Sequence, residues 1–449
     1  MKLRLCRAYG AIFTGLLLAI VGLCLFGQAL DFYCGIFREL QAALLSVQWM
    51  LLACIAVWCG IFTFLTFNQK KWPLLGLLLI AIIAYFIDNV GPFRASDAII
   101  LLTGVTLGMG TSFALLEDGV NNPKIINCNS AIVNFLVGLV GLLAFSAWWH
   151  LDMAGNYHGP RWMGLWNNPN FYGMLMSTGV VLAIGMLAGK QKEELRMKNS
   201  IRAFSRRLLP VFLFIAAGVM AVGLMMSYSR GSWLGATVGL AYLAWSYGKL
   251  KWRYVLPGVV AVTAVVFFFW GATSEDARWY VKRMDLGRPS AQHRVAAWRG
   301  ALEMMRDHPF GVGWNNAVTI YEKNYSPPEN GAAAITTNDY LMLGTQLGWP
   351  GLICFVTYVA LCFRNHANFN TDRRAGRPAS RPAGKTTALR YACRAGALTL
   401  LVAFWFDGGL FTLATAAVFW ILLELGGENA KAESGNRKSK TVQQSEIGN

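Results

Sequence analysis

The sequence is poor in charged side chains. Only 14% of its 449 residues are Asp, Glu, Lys or Arg, whereas a soluble protein of this size carries about 25%. Hydrophobic residues make up 55% of the chain, and they are grouped in repeated apolar runs of about 20 residues, the length that crosses a bilayer. This composition excludes an ordinary soluble globular domain and indicates a polytopic membrane protein.

The patterns that mark metal sites and disulfide frameworks are also missing from the sequence. The nine cysteines lie mostly in or beside apolar runs and show no paired spacing. The chain contains no HExxH motif and no acidic cluster suited to a metal. We therefore predict that the protein uses no metal and no cofactor.

Hydropathy predicts an all-α bundle of about twelve transmembrane helices. The predicted spans are 8–30, 47–67, 73–87, 97–116, 125–150, 170–189, 208–227, 233–248, 254–272, 339–363, 391–406 and 410–425. Nine spans fall in residues 1–272, a long loop follows at 273–338, the last three spans lie in 339–426, and 427–449 is a flexible tail. The connection 364–390 is also predicted to be flexible, because it is rich in Pro, Gly, Ala and Arg.

Lysines and arginines orient the predicted bundle. They precede the first span, and they recur in the connections 68–72, 190–207, 249–253 and 364–390, which fall on one side. Because basic residues accumulate on the cytoplasmic side, this places both termini in the cytoplasm and the 273–338 loop outside. The same rule accounts for much of the net charge of +17, so the charge does not indicate nucleic acid as a partner.

The long outer loop contains a predicted amphipathic helix. Ser290 has the residue type of an N-cap, and Pro309 helps to end the helix. The predicted apolar stripe consists of Val295, Trp298, Leu302 and Met305. Such a helix lies on the membrane or across the mouth of the bundle. The glycine-containing segment 308–314 lacks the lysine of a phosphate-binding P-loop and is predicted to be a turn.

Three predicted spans begin at the outer face with residues that cap helices. These residues are Asn168 and Asn170 before the sixth span, Ser229 before the eighth, and Thr337, Asn338 and Asp339 before the tenth. Arg230 follows Ser229, and Arg161 lies in the preceding outer loop. Helix N-termini and arginines together bind anions such as phosphate. The alternative is that these residues only cap helices and that Arg230 reaches toward water at the interface.

The outer loop supplies a further cation and two candidate bases. Arg294 lies one helical turn before Trp298, so the two residues share one side of the helix. Arg294 either faces the bundle mouth or is a solvated charge at the edge of the stripe. His293 and His308 are candidate general bases, because imidazole titrates near neutral pH. The alternative is that both histidines are structural.

Several ordered segments together resemble the O-antigen ligase family. They are "RWMGLWNNPNFYG" (161–173), "SYSRGSWLG" (227–235), "HRVAAWRGALEMMRDHPFGVGWNN" (293–316) and "TTNDYLMLGTQLGWPGL" (336–352). The resemblance implies a metal-independent membrane glycosyltransferase of the bacterial inner membrane. Such an enzyme moves a glycan from undecaprenyl diphosphate to a lipid, polysaccharide or protein acceptor at the periplasmic face. By the same resemblance, Arg230 and Arg294 bind the carrier diphosphate, and the capping residues and Arg161 contribute to substrate binding.

The sequence departs from the family at one position. The family commonly has His-Asn-Asp-Tyr-Leu where this chain has "TNDYL", so Thr337 occupies the histidine position. Threonine forms hydrogen bonds but does not act as a base near neutral pH. Either His293, His308 or Asp339 takes that role, or activation depends mainly on stabilising the leaving group, or this member is altered or inactive.

Two further functions remain open from the sequence. One is a polysaccharide polymerase of the same family, and the other is a transporter or flippase of envelope precursors. Transporters place ionisable groups near the membrane midplane. In this chain the charges collect at the outer ends of the predicted spans, which favours an enzyme that works at the interface. A structural role in envelope assembly is a third possibility.

Overall fold

The structure is a computed structural model. It describes residues 14–27, 71–87, 96–116, 128–148, 161–166, 168–190, 203–247, 289–314, 316–326, 338–374 and 385–427. These residues form helices and their connections, with no strand among them, as the all-α prediction requires. The predicted spans 47–67 and 254–272 lie outside the described residues.

The α-helices are numbered here in chain order. They are α1 (Thr14–Gly27), α2 (Trp72–Ile87), α3 (Ser96–Leu116), α4 (Cys128–Ser146), α5 (Pro169–Lys190), α6 (Ala203–Ser227), α7 (Arg230–Ser246), α8 (Pro289–Asp307), α9 (Asn316–Asn324), α10 (Asp339–Arg374), α11 (Lys385–Ala403) and α12 (Leu413–Gly427). Residues Gly164–Trp166 add a short 3₁₀ turn before α5.

Three of the described helices are long and apolar enough to cross a membrane. They are Pro169–Gly189 in α5, Leu208–Ser227 in α6 and Asp339–Arg364 in α10. Five shorter helices, α1, α2, α3, α4 and α12, are also apolar. The protein is therefore an integral membrane protein by composition, and the number of twelve spans stays a prediction.

Helix α5 lies at the centre of the bundle. Its apolar window is 78% buried, against 33% for α6 and 39% for α10, and it packs against α6, α7 and α11. Small residues bring the helices together, as is usual where lipid gives no hydrophobic drive between them. A Cβ atom at Gly235 of α7 would lie 2.5 Å from the Thr399 carbonyl oxygen of α11. A Cβ atom at Gly108 of α3 would lie 2.7 Å from the Trp420 carbonyl oxygen of α12.

Helix α10 is broken near its middle. Gly348 has φ 70° and ψ −175°, which is not helical, and a positive φ favours glycine. Pro350 has no N–H group, so it cannot donate to the Gln346 carbonyl as the helical pattern requires. The break therefore leaves backbone carbonyls that need another donor.

The 308–314 loop fills this break. The Val312 N–H donates to the Thr345 carbonyl at 3.0 Å, and the Gly313 N–H donates to the Gln346 carbonyl at 3.1 Å. The predicted turn is thus present after α8, and it also docks α8 onto α10. The sequence analysis did not anticipate this second role.

A buried polar cluster ties the helices together at the end opposite the start of α10. Glu424 of α12 accepts a hydrogen bond from the Tyr358 hydroxyl and forms an ion pair with Lys71 at 3.3 Å. Arg394 Nε donates to the Gly426 carbonyl at 2.8 Å. These contacts join α10, α11 and α12 with the residue that precedes α2.

The predicted apolar stripe of the outer helix was wrong in part. The buried face of α8 consists of Ala297, Ala301, Met304 and Met305. Val295 and Leu302 are instead 46% and 48% exposed. Small residues determine which side of α8 is buried, because they let α8 approach the end of α9 closely. A Cβ atom at Gly300 would lie 2.6 Å from the Tyr325 carbonyl oxygen.

The prediction that the 364–390 connection is flexible was also wrong at the two ends of this segment. Helix α10 continues to Arg374, and α11 begins at Lys385, so helix occupies both ends of the 364–390 connection. Polar and basic residues extend these helices, because Arg and Lys have good helix propensity.

Candidate functional site

The start of α5 is organised by two asparagines. Asn168 Oδ1 accepts a hydrogen bond from the Asn170 N–H at 2.8 Å, the N-cap arrangement that the residue type predicts. The Asn170 amide then links two charged groups. Its Oδ1 accepts from Arg161 Nη2 at 2.8 Å, and its Nδ2 donates to Asp407.

Arg161 is buried beside the start of α5, with 8% of its surface exposed. Its Nε donates to the Ser227 carbonyl at 2.9 Å, at the last residue of α6. The neighbouring Trp162 N–H donates to the Met226 carbonyl, also at 2.9 Å. A cation is favourable at the C-terminal end of a helix, where carbonyls lack intrahelical partners. Arg161 therefore connects the end of α6 with the start of α5.

Asp407 lies at the centre of the 404–412 loop, which joins α11 to α12. One carboxylate oxygen accepts from the Gly408 N–H at 2.9 Å, and the other accepts from Asn170. Burial raises the pKa of the Asp407 carboxyl above its ordinary value, although both hydrogen bonds and the charges of Arg294 and Arg161 lower it. Arg294 is therefore close enough to Asp407 for its charge to act there. Arg161 is linked to Asp407 through Asn170, and both arginine charges act on the carboxylate.

The start of α7 lies beside the start of α5. Tyr228 adopts φ 52° in the tight connection from α6. Ser229 occupies the N-cap position, but its side chain makes no capping hydrogen bond to the helix. It accepts instead from the Ser232 hydroxyl at 2.9 Å, and the same hydroxyl lies 3.4 Å from the Asn170 carbonyl. The serines thus join α7 to α5.

Helix α7 also contacts the 404–412 loop. A Cβ atom at Gly231 would lie 2.8 Å from the Cβ of Phe406, so only glycine permits this approach. Arg230 is the first residue of α7 and is exposed. Arg230 is therefore next in sequence to Gly231, which packs on Phe406, and Phe406 immediately precedes Asp407.

The start of α10 is bound to the same loop. Asn338 Oδ1 accepts from the N–H groups of Tyr340 and Leu341 at 3.0 and 3.1 Å, a complete N-cap. Asp339 Oδ2 accepts from the Leu410 N–H at 2.8 Å, and the Asp339 N–H donates to the Phe404 carbonyl at 3.0 Å. Both capping residues are buried, so they position the loop.

Helix α8 completes the cluster through aromatic contacts. The Trp298 and Trp405 rings are edge to face with centroids 5.8 Å apart, and Trp405 contacts Tyr340 at 5.5 Å. Arg294 lies one turn from Trp298 on the same side, which is the side of α8 that contacts the 404–412 loop.

The two candidate bases have different positions. His308 follows Arg294 by fourteen residues, which corresponds to about 21 Å along a helix. The structure thus places it at the other end of α8, near the break in α10. His293 lies in the first turns of α8, but its side chain is outside what the structure describes, as is Thr337.

The resulting site combines three helix N-termini with three arginines. The starts of α5, α7 and α10 meet at the 404–412 loop, and Arg161, Arg230 and Arg294 lie around them. Among the described residues, no group of three His, Cys, Asp or Glu side chains is suited to a metal. The side chains of Asn168 and Asn338 cap α5 and α10, whereas the start of α7 has no side-chain cap, so its N–H groups and the guanidinium groups are suited to an anion.

Residues 215–356 match the family model described as O-Antigen ligase. Over this segment the chain is similar to the O-antigen ligases. The match extends from α6 into α10 and includes Arg230 and Arg294, so the resemblance drawn from the ordered motifs is confirmed. No curated protein matches the chain.

Asp407 is the residue of this site that the sequence analysis missed. It lies outside the segment that matches the O-antigen ligase model and 237 positions from its partner Asn170. The available signal was a single carboxylate in the otherwise apolar stretch "AFWFDGGLF" (403–411). An isolated acidic residue between two apolar helices has few reasons to be there unless it is paired.

Proposed function

We propose that this protein is a glycosyltransferase that moves a glycan from undecaprenyl diphosphate to an acceptor at the periplasmic face of the inner membrane. The observation that carries the proposal is that the starts of α5, α7 and α10 lie against one loop, 404–412, with Arg161 beside the first start and Arg230 at the second. The match to the O-antigen ligase model supports the same class of reaction.

The chemistry needs positive charge where the leaving group departs. The acceptor hydroxyl oxygen attacks the anomeric carbon, and the bond from that carbon to the diphosphate oxygen breaks. The electron pair leaves with the diphosphate. Arg230 and Arg294 stabilise the growing negative charge, together with the N–H groups at the start of α7. This stabilisation is stronger at a water-poor membrane interface than in bulk water.

The proton of the acceptor hydroxyl requires a base. We assign this role to His293, because of the two candidate histidines its backbone lies nearer to Arg294 along α8. His308 is left out, since it is several turns away. Threonine at position 337 is compatible with this assignment, because the family histidine is then not needed as a base.

Asp407 acts in this proposal as a positioning residue. It receives the Asn170 amide and attracts Arg294, so it orients groups that contact the substrate. Asn170 holds Asp407 in turn, and Arg161 holds Asn170. The arginines around a single carboxylate keep a net positive charge for the diphosphate.

The acceptor is a lipid A core, a growing polysaccharide or a protein. A ligase and a polymerase differ only in this acceptor, and both release the carrier. A transporter or flippase would move the lipid-linked glycan intact. Release of free undecaprenyl diphosphate therefore separates the two enzyme functions from transport.

The test uses the purified full-length protein with an undecaprenyl-diphosphate-linked oligosaccharide and candidate acceptors. We expect carrier release without added metal, and we expect Arg230→Ala and Arg294→Ala each to abolish it. Arg374→Ala is the control, because it lies at the far end of α10. Equal release by all three variants would contradict the assignment, and intact movement of the substrate across vesicles would replace it with transport.

A further inference from the structure

The side of α8 that faces away from the bundle is both apolar and basic. Val295, Arg299, Leu302 and Arg306 are all exposed. Their spacing of four, three and four residues puts them on one face of the helix, opposite Ala297, Ala301 and Met304. We refer to these four residues as the outer face of α8. It is separate from the edge of the helix that carries Arg294 toward Asp407.

Phe310 extends the outer face of α8 toward the membrane-spanning part of α10. Its side chain is 81% exposed. The backbone around it is held in place, because the Trp349 N–H donates to the Pro309 carbonyl at 2.9 Å and Gly348 packs against the Phe310 backbone. Phe310 is thus an exposed apolar residue on a backbone that is bound to the Gly348–Trp349 segment.

Trp349 begins the lipid-facing stripe of α10. Trp349, Ile353 and Val356 are 41%, 58% and 50% exposed, and they recur every three or four residues along a helix long enough to span the bilayer. Tryptophan is typical of the membrane–water interface. Exposed apolar side chains are therefore present on α10, at Phe310 and on the outer face of α8, and backbone contacts join the segment after α8 to α10.

We propose that the outer face of α8 docks on anionic phospholipid headgroups of the surrounding leaflet. Val295, Leu302 and Phe310 enter the boundary between headgroups and acyl chains, while Arg299 and Arg306 bind the phosphates. Arginine matches a phosphate with two parallel N–H groups. This arrangement of apolar and basic residues on one face is the signature of an interfacial helix.

One acidic residue borders the outer face of α8 and provides a second charge change with which to test lipid binding. Glu303 is exposed between Arg299 and Arg306. In the described part of the chain it forms no ion pair with either arginine. The arginines are therefore available to lipid, and Glu303 weakens the attraction of an anionic surface. Removing its charge is expected to strengthen lipid binding.

The test measures lipid retention by native mass spectrometry of the purified full-length protein, titrated with phosphatidylglycerol or phosphatidylcholine. We expect the protein to prefer phosphatidylglycerol. Arg299→Gln and Arg306→Gln each lower that association constant about fivefold, the effect of one basic residue at an anionic surface. Glu303→Gln raises it. Lys323→Gln is the matched control, since it removes an exposed charge from α9, and leaves the constant unchanged.

Two further measurements separate lipid binding from effects on folding and on catalysis. Arg299→Lys keeps the charge and retains most of the binding. Replacing Phe310 by the photoreactive benzoylphenylalanine yields crosslinks to phospholipid in vesicles of phosphatidylglycerol and phosphatidylcholine. Equal phosphatidylglycerol binding by Arg299→Gln, Arg306→Gln and Lys323→Gln would overturn the proposal. Loss of undecaprenyl-diphosphate binding in place of phosphatidylglycerol binding would overturn it too, because the face would then belong to the substrate.

Discussion

Arg161 provides the most direct test of how the site is held together. Its guanidinium makes two hydrogen bonds from a side chain that is only 8% exposed, at 2.9 Å to the Ser227 carbonyl and at 2.8 Å to Asn170 Oδ1. Hydrogen bonds from a charged donor contribute about 1.5–3 kcal/mol each. Because water cannot replace a donor at this depth, Arg161→Ala is expected to lower the free energy of unfolding by about 3–5 kcal/mol.

Lysine at the same position separates charge from geometry. Arg161→Lys keeps the positive charge near Asp407, but a single ammonium group does not match both partners of the guanidinium fork. It should therefore lose one hydrogen bond, or about 1.5–3 kcal/mol. Denaturant titration of the purified protein in detergent, followed by intrinsic fluorescence, should rank the wild type above Arg161→Lys and Arg161→Ala lowest. Lys323→Gln should match the wild type.

A double-mutant cycle isolates the contact between Arg161 and Asn170. The cycle combines Arg161→Ala with Asn170→Ala and compares the double variant with the sum of the two single variants. Residues in one hydrogen-bond network are coupled by about 0.5–3 kcal/mol. Additive effects, or an Arg161→Ala variant as stable as the wild type, would refute the network that joins α5, α6 and the 404–412 loop.

Two other predictions follow from the geometry. Burial raises the pKa of the Asp407 carboxyl, so carrier release should decline at a higher pH than for an ordinary aspartate as the carboxylate is protonated and releases Arg294. The same protonation favours the folded state, because the folded carboxyl binds its proton more tightly than the unfolded one. Asp407→Asn should remove the decline of carrier release at acidic pH. If the decline is unchanged in this variant, Asp407 is not its origin. Gly108→Ala should lower the midpoint of thermal unfolding in detergent, because its Cβ would lie 2.7 Å from the Trp420 carbonyl oxygen. Gly110→Ala on the same helix is the control and should be tolerated, since its Cβ would meet no atom within 4 Å. Equal midpoints for the two variants would contradict the packing of α3 against α12.

The candidate substrate site and the lipid-binding face lie on different sides of α8. The edge of α8 with Arg294 faces Asp407 and the site, while its outer face points away from the bundle. If the outer face is held at the lipid surface, Arg294 is held at the same depth as the diphosphate of a membrane-bound carrier. Loss of lipid binding with normal carrier release would show that the site does not depend on this anchorage.

Much of the candidate site was predictable, because its parts are local. Helix starts are marked by capping residues near them in sequence, and the Asn168 and Asn338 caps formed as predicted. Ser229 is the exception: it has the right residue type and position, but Ser232 competes for its hydroxyl.

The sequence by itself determined that this is an apolar helical protein and which residues cap α5 and α10, because hydropathy and capping act over a few neighbouring residues. Three of the four ordered motifs that carried the resemblance lie within or across the segment that matches the O-antigen ligase model. Only the tertiary structure decided that Asp407 receives the Asn170 amide, because that contact joins positions 237 residues apart. The buried side of α8 was likewise decided by close packing on α9 and α10, and the residues Val295 and Leu302 are left outside.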